Sequence, residues 1–381
     1  MPDNLGPSRG NGTAKPRSAL TGWPRETRSP QGGALGRIAS PMIPKPAPWL
    51  LCCAFLGMFS GPVVFGGQPP AAMPTSGDLQ MLTNGSVRVG IDLRKGGSIT
   101  WLSWAGHPRN AVNHADPGRL IQQSYYAGAA LDRTVEGQSK AWSPWTWNPI
   151  QGGGVGSWAR IAEFKREADT LYAETIPKLW DMPDEEAAAR MKQWTGFEPG
   201  QPDVVVVRCE FLCQRAAEDR WGAPGRHHQE IPACYFTRHF STVKSYLGDR
   251  QWRDEIQPPG PPWGHAQPPR KAMACFTPEG EGIAIFSPTA TEPWNFGPHG
   301  SNLTDDPSAG PCMHVAPLDR VSLGARTTYR YRYWLVVGDA NQLADRLESL
   351  WLKYSKERAE LGETTATTAP ASKTAQPTAP K

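Results

Sequence analysis

Thr327-Thr-Tyr-Arg-Tyr-Arg-Tyr-Trp-Leu-Val-Val337 is the stretch of this 381-residue sequence that decides the fold. Its three tyrosines fall on one face of an extended chain, and its two arginines fall on the other together with Trp334. A side-chain period of two is typical of a β-strand, and one apolar face against one wet face is typical of antiparallel sheets. The stretch therefore predicts a long strand of an antiparallel sheet.

Comparable runs occur along most of the chain. Ser86–Leu93 and Ser98–Trp104, joined by a turn at Gly96-Gly97, predict a β-hairpin. No alternation of strands and helices indicates parallel βαβ units, so we predict an all-β fold with two large antiparallel sheets packed as a sandwich. Further strands are predicted at residues 203–213, 231–240, 271–276 and 282–286.

Two helices are predicted beside the strands. After a possible cap at Asp339, the residues Leu343, Leu347 and Leu350 recur at helical spacing, which predicts a C-terminal helix. An Asp-Glu-Glu-Ala-Ala-Ala run after Pro183 predicts a second helix around residues 182–191.

The chain divides into four segments by composition. Residues 1–41 are rich in Gly, Pro, Ser and Arg, which predicts disorder or a mis-annotated extension. Residues 42–67 join a basic start to the apolar run 49–65, which predicts a signal peptide, with a signal-anchor as the alternative. The folded domain then spans 68–362, and a Thr/Ala/Pro-rich tail covers 363–381. The predicted location is secreted or periplasmic, or membrane-anchored through 49–65.

Composition also narrows the partners. The net charge is +4 without a polybasic stripe, so no nucleic-acid partner is expected, nor a membrane partner after signal cleavage. No phosphate-cradling loop, dinucleotide fingerprint or calcium loop occurs, so no cofactor and no metal are predicted. Five cysteines follow the signal segment, which permits one or two disulfides in an exported protein and leaves the pairing open.

Polar and aromatic side chains are concentrated in the runs 113–126 and 142–154, which Pro and Gly interrupt. Aromatic rings stack on sugar rings, while Arg and amides pair with hydroxyls or a uronate carboxylate. A second loop, 292–300, adds an indole, an amide and an imidazole. The predicted substrate-binding residues are His114, Arg119, Gln122, Gln123, Tyr126, Trp147, Asn148, Gln151, Trp294, Asn295 and His299.

Two kinds of cleavage chemistry fit these residues. Hydrolysis of a glycosidic bond needs an acid and a carboxylate at the same bond, and Asp116 and Glu230 are the candidates, with His228 on the same strand face as Glu230. A lyase instead removes the proton beside a uronate carboxylate. For a lyase, Arg119 would hold the carboxylate and Tyr125, Tyr126 or His114 would move the proton, with Asn148 or Gln151 stabilising the enediolate. The candidate catalytic residues are therefore Asp116, Glu230, His228 and Tyr125.

The opening hairpin, Asn84-Gly-Ser-Val-Arg-Val-Gly-Ile-Asp-Leu-Arg-Lys-Gly-Gly-Ser-Ile-Thr-Trp-Leu-Ser103, resembles the first strands of the galactose-mutarotase-like β-supersandwich. The resemblance concerns the order of elements over residues 84–339. It implies a sugar-facing cleft of the kind that aldose epimerases, glycoside hydrolases and polysaccharide lyases share, although the sequence offers no counterpart of the epimerase His and Glu pair. We therefore predict an exported protein that binds and cleaves a polysaccharide, as a hydrolase or a lyase, with a non-catalytic carbohydrate-binding protein as the alternative.

Overall fold

The computed structural model describes residues 77–154, 157–300, 306–310 and 312–363. The predicted extension, the signal segment and nearly all of the tail lie outside these residues. Within the described ranges, no helix is long and apolar enough to cross a membrane.

The predicted hairpin is confirmed. A three-stranded antiparallel sheet consists of β1 (Leu79–Thr83), β2 (Val87–Asp92) and β3 (Ser98–Trp104). Between β2 and β3 the chain turns at Gly96, whose φ is +57°, and a Cβ there would overlap the carbonyl oxygen of Gln151. Glycine is therefore required at this turn both by its left-handed backbone and by the close approach of the neighbouring loop.

The larger of the two main sheets has ten strands and is antiparallel throughout. At its centre is the strand predicted from the Tyr/Arg alternation. This strand pairs with residues 204–212 on one side and with residues 281–286 on the other. In sheet order the strands are β10 (Arg160–Arg166), β11 (Thr170–Ile176), β13 (Ala189–Phe197), β14 (Val204–Cys213), β23 (Thr327–Asp339), β20 (Glu281–Phe286), β19 (Ala272–Phe276), β16 (Thr242–Gly248) and β17 (Gln251–Asp254), and β24 (Glu360–Glu363) also pairs with β23.

The smaller main sheet has seven antiparallel strands, and two short strand pairs lie beside it. The pairs are β5 (Ala127–Leu131) with β6 (Trp145–Trp147), and β8 (Gly153–Gly154) with β9 (Ser157–Trp158). In sheet order the seven strands are β12 (Lys178–Leu179), β7 (Pro149–Ile150), β4 (Gln122–Ser124), β15 (His227–Phe236), β22 (Cys312–Val321), β21 (Glu292–His299) and β18 (Gly264–Ala266).

The main hydrophobic core joins the inner faces of the two large sheets. Tyr329 and Tyr333 of β23 pack there with Phe236 of β15 and Val315 of β22, all fully or nearly fully buried. The alternation in the sequence of β23 thus correctly predicts that its tyrosine face lies against the core. The predicted fold class, an all-β sandwich with a C-terminal helix, is confirmed.

The C-terminal helix α1 (Ala340–Tyr354) is also confirmed and begins at the expected cap. The Asp339 carboxylate accepts hydrogen bonds from the backbone N–H groups of Asn341 and Gln342, each 2.9 Å long. The helix lies on the outer face of the ten-stranded sheet, where Leu343 and Leu347 pack in a second hydrophobic cluster with Trp334.

The predicted helix around residues 182–191 is wrong. The chain turns after Met182, and the strand β13 begins at Ala189. Ala189 and Ala187 are buried, and β13 pairs with both β11 and β14. The hydrogen bonds of two long neighbouring strands therefore override the helical preference of the alanine run.

The cysteines form no disulfide in the described part of the chain. Cys209, Cys213, Cys234, Cys275 and Cys312 are all free and buried.

Candidate functional site

The polar loop before β4 is built on a tight turn. The Arg119 N–H donates to the Asp116 carbonyl oxygen at 3.3 Å, with Pro117 second and Gly118 third in the turn. Gly118 has a φ of +85°, which a type II turn requires at that position. The turn brings the side chains at its two ends together, so Arg119 Nε lies 2.8 Å from Asp116 Oδ2.

The side chain of Asn113 hydrogen-bonds the backbone of this turn. Its side-chain amide donates to the carbonyl oxygens of Asp116 and Arg119, at 2.8 Å each. Its Oδ1 accepts from the N–H groups of Ala115 and Asp116 at 3.2 Å. This amide is buried, and its donors and its acceptor all make hydrogen bonds to the backbone of the turn. The turn therefore holds the Asp116–Arg119 ion pair in a fixed position.

Arg119 packs against two aromatic rings. Its guanidinium carbon is 5.0 Å from the ring centroid of Trp180 and 5.6 Å from that of Tyr235. Burial opposes its charge, but Tyr235 and Asp116 outweigh that effect and raise the pKa of Arg119. The guanidinium is therefore a permanent positive charge in a largely dehydrated place.

His299 completes this group from the end of β21. Its Nδ1 lies 3.1 Å from Asp116 Oδ2. Burial raises the pKa of Asp116, but the hydrogen bond with His299 and the charge of Arg119 more than offset it, so the net pKa is lowered. The pKa of His299 is itself lowered, chiefly by burial. Asp116 is thus an ionised carboxylate at neutral pH and a poor proton donor.

Glu230 lies on β15, just before a bulge opposite β22. The bulge contains Pro232, which has no N–H to give to the sheet. The Tyr126 hydroxyl donates to Glu230 Oε2 at 3.2 Å, and Nε2 of the fully buried His314 lies 3.5 Å from Oε1. Burial, followed by the nearby Glu230 charge, raises the pKa of Tyr126 well above 10, so this phenol stays protonated.

The two groups line one narrow cleft on the outer face of the seven-stranded sheet. Its free volume for water-sized molecules is about 20 Å³, enough for one water. Arg119 and Glu230 both contribute to its walls. The lining residues are Gly118, Arg119, Gln122, Ser124, Tyr126, Asn148, Ile150, Trp180, Glu230, Ala233 and Tyr235.

Neither a protein-family model nor a curated protein matches the sequence. Among solved structures, 4-alpha-glucanotransferase from Thermococcus litoralis is similar with a TM-score of 0.40 at 11% identity, over 68% of this chain and 37% of that one. A mutant of heparan sulfate lyase HepC from Pedobacter heparinus gives 0.37 at 8% identity, over 70% of this chain and 36% of that one. A mutarotase candidate (YeaD) from Salmonella typhimurium gives 0.37 at 10% identity, over 68% of this chain and 90% of that one. The chain thus spans little more than a third of the first two proteins, and at these TM-scores the interpretation of the site rests on its own side chains.

The cleft brings together many of the predicted site residues. Arg119 and Glu230 form opposite parts of the wall, with Tyr126 beside Glu230. Gln122 donates to the Gly118 carbonyl oxygen at 2.6 Å, and Asn148 donates to the Tyr125 carbonyl oxygen at 2.8 Å. These two amides therefore line the cleft while they hold its loops.

Other predicted residues lie away from the cleft. Tyr125, Trp147 and Trp294 are almost wholly buried in the main core. Gln123 and Gln151 are buried and bond to each other through the Gln123 N–H. These five side chains hold the scaffold in this conformation and do not face the cleft.

The remaining three predicted residues lie at the surface or on another strand pair. His228 is exposed and lies 3.6 Å from Glu292, although it shares a strand with Glu230. Asn295 lies on β21 opposite His265 of β18. His114 is exposed and belongs to a different, wider groove.

Three residues of the site escaped the sequence analysis. Tyr235 and Trp180 flank Arg119, and His314 supports Glu230. The alternation Cys312-Met-His314 in a strand places His314 on the same face as Cys312, which was a usable signal. No local pattern marks Trp180, because it reaches Arg119 from a separate loop.

In the described ranges, one group of possible metal ligands occurs, and it overlaps this site. Ligand atoms of Asp116, His299 and Cys312 lie within 4.8 Å of one another. The Asp116 carboxylate is already ion-paired with the Arg119 guanidinium, whose positive charge would repel a cation. Burial also raises the pKa of the Cys312 thiol to about 12, which keeps it protonated. The group is therefore better described as an ion-pair network than as a metal site.

Proposed function

We propose that this protein is a carbohydrate-active enzyme that binds an acidic polysaccharide and cleaves it by elimination beside a uronate. The observation that carries the proposal is the pairing of a fixed cation, Arg119, with a buried carboxylate, Glu230, in the walls of one narrow cleft. Elimination needs these two groups, since one neutralises the uronate carboxylate and the other accepts the proton next to it.

Arg119 is suited to recognise the uronate. Asp116 occupies its Nε, and in the described part of the chain its terminal nitrogens make no hydrogen bond with a carboxylate. That end of the planar guanidinium can therefore pair with a carboxylate of the substrate. The rings of Trp180 and Tyr235 pack against the guanidinium and keep it in position.

Glu230 and Tyr126 together supply a complete proton cycle. Glu230 accepts the proton at C5, the released electron pair forms the C4–C5 double bond, and the bond from C4 to the glycosidic oxygen breaks. The Tyr126 phenol, which its raised pKa keeps protonated, gives its proton to the leaving oxygen. Glu230 then returns a proton to Tyr126 along their 3.2 Å hydrogen bond, and both groups are restored.

Hydrolysis is the second candidate, and one observation favours it. Asp116 is ion-paired with Arg119, which lines the cleft together with Glu230, and the lowered pKa of Asp116 keeps it ionised. Glycoside hydrolysis uses two carboxyl groups, one of which is ionised. A binding protein without chemistry is the third outcome of the test below.

Mass spectrometry of products separates these functions. The purified protein is incubated with polygalacturonate and with a neutral β-glucan. Elimination gives fragments with an unsaturated uronate end, whereas hydrolysis gives fragments that carry one added water. Retention of a glycan without any fragment would contradict both enzymatic proposals.

The role of Arg119 has its own test. We expect Arg119→Lys to lower kcat/KM for an acidic polysaccharide about tenfold or more, because the ammonium keeps the charge but loses the bidentate geometry. Kinetics on polygalacturonate measure this. An unchanged kcat/KM would contradict the assignment of the uronate to Arg119.

We also propose that the enzyme works outside the cytoplasm, on the basis of the apolar segment 49–65 behind Met42. N-terminal sequencing of protein recovered from the culture medium or periplasm tests this. Material that begins after residue 60 supports a cleaved signal, whereas material that begins before Met42 contradicts it.

A further inference from the structure

His314 lies fully buried on β22 beside the cleft carboxylate, and its two ring nitrogens have different surroundings. Nδ1 lies 3.1 Å from the carbonyl oxygen of Cys234. Because a carbonyl oxygen can only accept a hydrogen bond, Nδ1 carries a hydrogen and donates it. Within the described residues the buried Nε2 makes no hydrogen bond, and Glu230 Oε1 lies 3.5 Å from it. Nε2 therefore faces the Glu230 carboxyl group in a place closed to solvent.

The pair of Glu230 and His314 is complete only when it holds one proton. In a neutral ring with its hydrogen on Nδ1, Nε2 is an acceptor, and both oxygens of an ionised carboxylate are acceptors as well. Two buried acceptors that face each other leave both groups without a donor, which native structures rarely tolerate. One proton, on Nε2 or on Oε1, turns the contact into a donor–acceptor pair. The two residues therefore hold this proton as a unit.

The immediate surroundings favour the proton on Nε2. The Tyr126 hydroxyl donates to Glu230 Oε2 at 3.2 Å, and a hydrogen-bond donor stabilises the ionised form of a carboxylate. The ring of Tyr235 stacks on the imidazole with centroids 4.3 Å apart, and the ring centroid of Trp263 lies at 4.4 Å. Aromatic rings at these distances stabilise a positively charged imidazolium.

The other charged and titratable neighbours are compatible with this assignment. Arg119 opposes a second positive charge from behind Tyr235, but Asp116 forms an ion pair with it. Burial lowers the pKa of His299, so that ring adds no further positive charge. Burial also raises the pKa of three more neighbours, which stay protonated: Cys234, Tyr235 and Cys312.

We propose that His314 is a positioning residue that holds the shared proton on Nε2 and thereby keeps Glu230 ionised. The proposal rests on the proposed function only in making the ionised Glu230 the group that accepts the substrate proton. His314 is buried and does not line the cleft, so it acts through Glu230. An imidazolium has no lone pair left for a second proton. The substrate proton therefore remains on Glu230 until it passes to Tyr126.

Imidazole ¹H–¹⁵N NMR of the purified protein at neutral pH locates the proton and needs no substrate. The signals of His314 are identified in the wild type by their proximity to the ring protons of Tyr235 and Trp263, and by their absence in His314→Gln. We expect both ring nitrogens of His314 to show the chemical shifts of protonated nitrogen. A neutral ring with its hydrogen on Nδ1 alone would overturn the inference.

The pH profile of kcat/KM on polygalacturonate tests the consequence for Glu230. His314→Gln keeps an N–H group near the carboxylate but removes the positive charge. An opposite charge within about 4–6 Å lowers the pH at which a carboxylate ionises by about 1–3 units. We therefore expect the acid limb of the profile to move to higher pH by roughly one unit or more in the variant. An equal loss at every pH, with the limb in place, would indicate a purely structural role and contradict the inference.

His239→Gln is the matched control. His239 Nε2 lies 2.9 Å from Glu279 Oε2, in a second histidine–glutamate pair outside the cleft. This variant should keep the His314 signals and the wild-type pH profile, and a shift as large as that of His314→Gln would contradict the role of His314. Thermal unfolding of each variant shows whether it is folded, and the wild-type NMR result holds even if His314→Gln is not.

The two measurements separate this inference from the proposed function. An imidazolium at His314 in a protein that cleaves no polysaccharide would support the shared proton and refute the enzymatic function. A neutral His314 in a protein that cleaves polygalacturonate would retain the function and refute the role of His314.

Discussion

The outer faces of the two large sheets are used in opposite ways. On the ten-stranded sheet, helix α1 covers the surface with Leu343, Leu347 and Leu350. On the seven-stranded sheet, the corresponding surface carries Glu230 and Tyr235 at the wall of the narrow cleft. The same sandwich thus covers one face with apolar packing and leaves charged groups on the other, which costs stability.

The charged groups differ between the two faces as well. Beside the helix, the Glu198 carboxylate accepts hydrogen bonds from Trp334, Lys353 and Tyr354, at 2.9, 2.7 and 2.6 Å. Two of the donors, Lys353 and Tyr354, belong to α1 and tie it to the sheet, to which Trp334 belongs. Glu230 in the cleft has one hydroxyl donor and a histidine neighbour, and the space beside it has room for about one water. A carboxylate with a single hydroxyl donor keeps acceptor capacity for a proton, whereas one bonded by three donors serves structure.

The sharpest test of this contrast is Glu230→Gln. The amide keeps the shape of the side chain but cannot accept a proton, so we expect turnover to fall by roughly 10²–10⁴-fold, the usual contribution of a general base. Thermal unfolding should change little. Product formation on polygalacturonate measures the effect, and Glu163→Gln, on the exposed strand β10, is the matched control. Wild-type turnover in Glu230→Gln would break the comparison.

The opposite result is expected on the helical face. Leu347 is 1% exposed, so Leu347→Ala should lower the free energy of unfolding by about 2–5 kcal/mol through lost packing and the cavity left behind. Leu352→Ala, in the same helix but 82% exposed, should change it by less than about 0.5 kcal/mol. Chemical denaturation measures both. Equal effects of the two variants would contradict the packing that we assign to α1.

The smallest effect is expected from the ion pair at the border of the cleft. The pKa of Asp116 lies below its usual 3.8 in the folded protein, so its contribution to stability is present above that value and is lost as pH falls through the folded pKa. Asp116→Asn should therefore lower the melting temperature at about pH 7 and have little effect near pH 2. Melting curves at the two pH values provide the test, and a difference that grows towards low pH would reverse the sign.

Periodicity identified much of the scaffold in advance. The strand β23, the hairpin β2–β3 and the helix α1 each follow from spacing that a single segment carries. The boundaries moved where pairing decides them: the strand expected at 231–240 runs from His227 to Phe236, since its partners β4 and β22 set its ends. The helix expected at 182–191 failed for the same reason.

The candidate site was predictable only in part. The short segment 116–119 predicts a turn from its Pro and Gly, and the i,i+3 pair of Asp116 and Arg119 follows from that turn. The choice between Tyr125 and Tyr126 does not follow from sequence, because neighbours on a strand face opposite ways and either can be buried. The sheet packing buries Tyr125 against Phe211 and turns Tyr126 towards Glu230.

The sequence alone therefore determined the fold class, the main strands, the terminal helix and the polar loop, because each depends on residues close together along the chain. Only the tertiary structure decided that Arg119 and Glu230 share a cleft, that Trp180 joins Arg119 and His299 joins Asp116, and that His228 does not join Glu230. Those contacts connect residues that are many positions apart. They depend on sheet register and on the bulge in β15, and neither is encoded in the pattern of one segment.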